Sequence, residues 1–530
     1  MRARAVCTLL AAVFAAAAAT AEDPTQPRLG SGAPAAPALT GSLELSLADA
    51  IAMGLENNLR IEIERHQPLI AYQDYQASWG PYDPTWVTEF GYASDRTPNS
   101  NLILGVTEVA TDATGGQGGI RALVPWLNTS LSTVVDTTRS ESNTQIQTLS
   151  PDYRTGLTVI ARQPLLRGLI WNEPWTLLRT NQVLYGASLE TFRMNVMDLI
   201  QDIEDAYWAL VANDERVRVA EKSLEATSAL LDQVTTQYEV GVVSKVEIAQ
   251  AEAGVADREF NLIVVQNNYH TSMDDLIDLV LGPNLTADSS IEIEPTDRPD
   301  QTSTYQIDLE QAKQIAFAQR PELEIAQKEI EAREIGLKFA QNQRLPQFDV
   351  EGRFGHDGES GQPNPAAPAG SPNPIFFGDW TDSFDRQANS YGVRGILTVP
   401  LGNIAGRHGV SMAELELRRA YVAKRRVEQD VILEIRKSVR DIASAREGIE
   451  AARRGVAAAA EQLRAERIRL EYGESTPFDV LLREEDFVEA ESQQINAFQI
   501  YRTAITGLDR AQGTILRNRN VQIEEAARLR

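Results

Sequence analysis

A chain of 530 residues with a formal net charge of −25 exceeds one ordinary domain, for which length suggests roughly two to four. The acidic balance excludes phosphate-backbone binding, which needs clustered Lys and Arg, and leaves solubility, a cation-attracting surface or an acidic passage. The single cysteine, Cys7, sits in the N-terminal run, so the chain beyond that run offers no disulfide, no thiolate zinc site and no cysteine nucleophile.

The elements follow in chain order. Residues 1–21 carry two arginines, an alanine-rich apolar stretch and Ala19-Thr20-Ala21, the pattern of a secretory signal. Ala-Val-Cys-Thr around Cys7 lacks the lipoprotein pattern. Residues 22–42, rich in Pro, Ala and Gly, read as a flexible lead-in. Leu47, Ile51, Leu55 and Leu59 then recur every fourth residue, which predicts helix to about Trp79. Pro84 ends that pattern. "TWVTEFGY" alternates Trp86, Thr88, Phe90 and Tyr92 against Val87, Glu89 and Gly91, a strand with one aromatic face. A polar region over about 94–154 holds "GGQGG", which does not join a strand to a helix as a phosphate loop must. It also holds "NTSLSTVVDT", and the composition of 98–140 suits either loop or further strands. Leu157, Val159 and Ala161 alternate in the next strand, closed by Pro164. One long helix is expected from about Pro174 to Tyr238 and a second from Lys245 to about Leu281, stopping at Gly282-Pro283.

The plan then restarts. Ile307 falls on Leu45, Leu309 on Leu47 and Pro346 on Pro84, all at an offset of 262 (307 − 45). "QFDVEGRF" repeats the aromatic strand, and "YGVRGILTVPL" is its return, with Tyr391, Val393, Leu397 and Val399 alternating. A second long helix runs to Leu470, and a last one to about Leu516. The chain therefore reads as a tandem repeat: signal 1–21, linker 22–42, repeat one 43–283, connection 284–304, repeat two 305–516, tail 517–530. No run past the signal approaches the ~20 apolar residues of a membrane helix, so membrane residence requires a closed β-barrel. Four strands cannot close one, which calls for several copies.

The long helices carry a seven-residue apolar stride: Ile203, Leu210, Val217, Leu224, Leu231 and Tyr238, then Ile435, Ile442, Ile449, Val456, Leu463 and Leu470. A sustained stride of seven imposes coiled-coil packing. Both helix pairs join through one short pattern. Gly241 and Gly473 occupy the left-handed position that ends a helix. Ser244 and Thr476 stand as N-caps, with Glu247 and Asp479 at capping-box spacing and Pro477 at the first helical position.

"LSLADAIAMGLENN", its echo "IDLEQAKQIAFAQRPEL", the twice-used Gly-x-x-Ser/Thr-x-x-Asp/Glu turn, and the strand ends "QPLLRG" and "TVPLGN" together resemble the TolC family of outer membrane efflux proteins. The resemblance covers nearly all of 43–516. It implies a mainly α chain with a membrane β-barrel: a homotrimer, four strands per chain in a shared twelve-stranded barrel, and a helical tunnel across the periplasm. It implies a periplasmic adaptor docking at Gly241, Ser244, Gly473 and Thr476, an inner-membrane pump of the RND, ABC or MFS type behind it, and outer membrane lipid around the barrel. It implies an acidic entrance ring at Glu247 and Asp479. Ser475 and Leu482 stand where some relatives have an arginine and a second aspartate. The expected function is an outer membrane exit duct for tripartite efflux or type I secretion, without a cofactor or a catalytic site.

Two other classes compete. A periplasmic adaptor also uses a long helical hairpin, but carries one between small β-domains, whereas this chain carries two with strands at the opposite ends. An exported enzyme would need a motif, and His66, His270, His356 and His408 are scattered without H-E-x-x-H.

Overall fold

A computed structural model describes residues 40–286, 290–298, 308–368, 376–385 and 387–522. The expected signal over 1–21, with Cys7, lies outside the described residues, as do most of the lead-in, part of the connection and the end of the tail. In chain order the first elements are β1 (Thr40–Leu45), α1 (Leu47–Asn57), α2 (Leu59–Ala77), β2 (Thr85–Pro98), β3 (Glu108–Leu123), β4 (Ser130–Ser142), β5 (Leu149–Pro164), α3 (Glu173–Glu239) and α4 (Lys245–Val280). They are followed by β6 (Ser290–Pro295), α5 (Leu309–Gln319), α6 (Pro321–Gln343), β7 (Gln347–Pro363), α7 (Trp380–Ser383), β8 (Gln387–Thr398), α8 (Ile404–Glu471), α9 (Pro477–Ala511) and α10 (Ile515–Asn518). The described residues fall into a strand-rich unit, within Gln73–Gln182 and Glu331–Arg418, and a helical unit, within Ser31–Tyr72, Val183–Ile330 and Arg419–Arg530.

In the helical unit the repeat is visible in the caps. Ser46 Oγ accepts from Asp49 N–H to open α1, and Asp308 accepts from Glu310 N–H to open α5. Asn58 ends α1, and its Oδ1 accepts from Arg60 and Ile61 N–H at 2.9 and 3.2 Å to start α2. The matching position in repeat two is Arg320 (58 + 262), which ends α5 in the same extended conformation. One core gathers Ile203, Tyr207 and Leu210 of α3 with Leu45, Leu276, Ile293 and Ile515. A second gathers Ile435 and Ile442 of α8 with Ala316, Tyr501 and Leu508.

The expected seams are met unequally. Ile435, Ile442, Ile449, Leu463 and Leu470 are all buried. In α3 the buried stripe leaves the expected stride after Leu210 and passes to Ala220, Ser223, Thr227 and Val234. Val217, Leu224 and Leu231 are only half-buried, and Tyr238 is exposed. Small side chains at 220, 223 and 227 fill the contact within the chain, so the larger stride residues are left beside it.

Segments read as lead-in and connection contribute structure. β1 and β6 pair in parallel from Thr40↔Ser290 to Leu45↔Pro295. Tyr207 OH donates to Asp297 Oδ2 at 2.8 Å and Leu47 N–H donates to the same oxygen at 2.8 Å. These bonds hold the connection on α3. In the expected tail, Arg519 Nε and Nη2 reach the fully buried Glu204 at 2.6 and 2.8 Å.

The strand-rich unit corrects the count of four strands per chain. Its sheet has six, in the order β2-β3-β4-β5-β7-β8, every neighbour antiparallel. The four expected strands are β2, β5, β7 and β8. The polar region between the first two folds as the hairpin β3–β4. Its glycines and threonines weaken the local strand signal, and cross-strand partners on both sides supply what propensity does not.

Candidate functional site: the helix-hairpin tips

Both long hairpins turn in the helical unit through the same backbone device. At the first tip Gly241 has φ +79°. Val242 N–H reaches back to Gln237 O and Gly241 N–H to Tyr238 O, both at 2.9 Å. At the second tip Gly473 has φ +74°, and Glu474 N–H reaches Arg469 O at 2.8 Å while Gly473 N–H reaches Leu470 O at 3.0 Å. The paired backward bonds and left-handed glycine form a Schellman ending. A Cβ built on either glycine would meet nothing within 4 Å, so glycine is there for its backbone angle and not for space within the chain.

The outgoing helices are capped by the residues expected. Ser244 N–H donates to Glu247 Oε2 at 3.1 Å. Thr476 N–H donates to Asp479 Oδ2 at 3.2 Å, and Asp479 N–H donates back to Thr476 Oγ1 at 3.3 Å, a complete capping box. The Thr476 hydroxyl also donates to Asp479 Oδ2 at 2.7 Å. That bond, with the Thr476 N–H, holds the Asp479 carboxyl below its ordinary range. The structure therefore places all six expected residues at two tips, and gives both carboxylates a role in closing their own turns.

Three features of the tips were not read from the sequence. Val240, Val242 and Val246 at the first tip, and Tyr472 and Phe478 at the second, are exposed. They are too few and too closely spaced to give a periodic signal. The tips also pack together within the unit: Leu230 joins Leu463, Leu470, Val480 and Phe487, and Gly254 of α4 lies against Leu481 of α9, where a Cβ would stand 2.9 Å from Leu481 Cδ1. Finally, Glu466 accepts from Ser475 Oγ at 2.5 Å and from Arg469, while Arg467 Nη2 reaches the buried Glu484 at 2.6 Å. These ion pairs join residues 3 to 17 apart and brace the second tip.

No helix among the described residues is long and apolar enough to cross a membrane. Among the described residues no group of three or more His, Cys, Asp or Glu side chains is placed to hold a metal ion.

Comparison with known proteins agrees with this architecture. No curated protein sequence matches the chain significantly. In structure it is similar to the Campylobacter jejuni CmeC outer membrane channel, with TM-score 0.62 and 15% identity over 88% of this chain and 86% of that one. It is similar to the outer membrane protein VceC of Vibrio cholerae, with TM-score 0.62 and 15% identity over 88% and 96%. It is also similar to the open state of the Neisseria gonorrhoeae MtrE outer membrane channel, with TM-score 0.61 and 15% identity over 90% and 91%. At such identities the likeness speaks for the fold. The family model described as "Outer membrane efflux protein" matches residues 119–280 and 313–514, well over half of the chain and both repeats. The chain belongs to the outer membrane efflux protein family.

Proposed function

We propose that this chain is the passive exit duct of a tripartite efflux or type I secretion system, working as a homotrimer with a periplasmic adaptor and an inner-membrane pump. The observation that carries the reading is the sheet of the strand-rich unit. One of its faces exposes large apolar side chains, and among the described residues neither edge strand, β2 or β8, has a further strand beside it. Such a sheet is stable only when lipid covers the face and further copies cover the edges. Exposed Phe260 and Ile263 on α4 and Leu415 and Val422 on α8 are further surfaces that neighbouring copies would cover.

The tips fit the adaptor's docking place. Gly241, Ser244, Gly473 and Thr476 lie on the surface beside exposed valines and aromatics, and small residues let a partner's backbone approach closely. Glu247 and Asp479 from three copies would set about six carboxylates near the entrance, a ring that favours cations. Conduction through such a duct is driven from elsewhere.

Single-channel recording from purified protein in planar bilayers tests the reading. A trimeric conducting pore blocked by multivalent cations from the tip side is expected, with block weakened by Glu247→Gln with Asp479→Asn. Recovery of the native protein as a water-soluble periplasmic monomer would contradict the duct.

A further inference from the structure

We infer that the β3–β4 hairpin is part of the membrane wall, so that each copy gives six strands and three copies close a barrel of about eighteen (three times six). This rests on the trimeric duct proposed above and goes beyond it, since the family plan calls for four strands per chain.

Pairing comes first. β3 holds continuous register with β2 from Thr85↔Arg121 to Pro98↔Glu108 and with β4 from Leu123↔Ser130 to Thr111↔Ser142. β4 continues onto β5 from Ser130↔Arg162 to Ser140↔Asp152. A loop folded over a barrel would not hold both neighbours along its length. At 16 and 13 residues, both strands exceed the ~9–11 needed to cross a bilayer at a tilt.

Face alternation comes second. Register fixes which residues share a face: Trp86, Ile120, Thr133, Val159, Phe354 and Tyr391 form one cross-strand row. Among the described residues, the large exposed hydrophobics within these six strands are Trp86, Phe90, Tyr92, Ile120, Leu131, Val135, Phe354, Tyr391, Val393 and Leu397. All ten lie on that face, and β3 and β4 supply Ile120, Leu131 and Val135. The opposite face carries Glu89, Gln117 and Asp136 in one row and the cross-strand pairs Arg154–Glu359 and Arg394–Glu351. Apolar-out, polar-in alternation is the mark of a barrel wall, and in the half of the sheet nearer the helices it runs through the extra hairpin. In the far half the same face carries the ion pairs Arg96–Asp112 and Arg139–Glu141 and Thr137, which Trp380 meets.

Stagger comes third. At the end of the sheet that leads into the helices, β3 runs two residues beyond its Arg121 partner of Thr85, to Leu123. β5 runs two beyond the Arg162 partner of Ser130, to Pro164, and β7 two beyond the Asp349 partner of Pro164, to Gln347. The ends of β3–β4 and β7–β8 are level, at Leu123↔Ser130 and Gln347↔Thr398, so the net stagger across the sheet runs one way, as the shear of closure requires, with the β2–β3 step contributing to it. The β3–β4 turn stays at that end: Asn128 Nδ2 donates to Gly168 O at 2.9 Å and Gln163 Nε2 to Leu127 O at 3.0 Å. On β4, Thr137 Oγ1 accepts from Trp380 Nε1 at 2.6 Å, which ties the hairpin to the β7–β8 connection.

Because six is even, β2 and β8 run in opposite directions, so β8 of one copy can pair antiparallel with β2 of the next all round the ring. Barrel diameter grows roughly linearly with strand number, which gives a bore ~1.5 times that of a twelve-stranded wall. The outer mouth of this duct is then wider than that of a twelve-stranded wall.

Site-directed spin labelling of the full chain in liposomes tests it, since the only cysteine is Cys7 of the signal run. Labels enter singly at Ile120→Cys, Gln117→Cys, Val135→Cys and Asp136→Cys, with Phe90→Cys and Glu89→Cys on β2 as reference. The expected result is lipid-type accessibility (oxygen over a nickel chelate) at 120 and 135 and the reverse at 117 and 136, matching the 90/89 contrast within about twofold. Contrast at 90/89 with water-type accessibility at all four hairpin sites would overturn the inference while leaving the duct standing. Loss of contrast at every site, 90/89 included, would overturn both.

Discussion

At the residue scale the tips separate two demands made on one glycine. Gly473 needs its left-handed angle but has empty space around it. Gly473→Ala should destabilise by about 1–2 kcal/mol through backbone strain, measured by chemical denaturation. Gly473→Asn should cost less, because Asn tolerates that region, while still placing a side chain where an adaptor would dock. Impaired pump assembly in the Asn variant with stability retained would mark a docking residue, and assembly that tracks stability in both variants would mark a turn residue alone. Thr476→Ala should cost about 1 kcal/mol by removing an N-cap. The Asp479 carboxyl sits below its ordinary value because Thr476 donates to its charged form. A depressed folded value stabilises above the unfolded value and is lost as pH falls through the folded one. Amide exchange at the second tip should therefore rise first in acid, below the ordinary aspartate range.

At the element scale a charged cluster secures α6, α8 and α9 to α3. Arg510 Nε reaches Asp198 at 2.7 Å and its Nη1 reaches Glu322 at 2.6 Å. Arg320 reaches Glu322 at 2.7 Å and Glu434 at 2.5 Å. Burial pushes the Glu322 carboxyl up, but Arg320 and Arg510 outweigh it and hold it at about 2. Its contribution is complete above about 4.5 and is lost as pH falls towards 2, so unfolding of the helical unit should steepen in that window. Arg510→Gln should cost about 1–3 kcal/mol, less than a fully buried pair because Glu322 retains 19% exposure. The Arg510 contacts were not legible in the sequence: its partners lie 188 and 312 residues away, and no periodicity joins them. The turns were legible because every residue they need is local. The α3 seam was legible only as far as Leu210, beyond which Ser223 and Thr227 carry the buried stripe without an apolar signal. Strand β3 was not legible because the glycines at 115, 116, 118 and 119 have little strand propensity of their own and are strand through their pairing with β2 and β4.

At the scale of the whole molecule, the duplicated plan and the aromatic strands point together to an outer membrane channel, and the family match spans both repeats. What the sequence left open is the pairing of β3 and β4 into the sheet. On the proposed reading, several copies meet through open sheet edges and uncovered helix faces and enclose a hollow duct. Electron cryomicroscopy of the detergent-extracted protein, viewed down its symmetry axis, tests that most directly. The expected image is a threefold ring around an open lumen, with a wall of about eighteen strands. A single-copy particle with no lumen would contradict it.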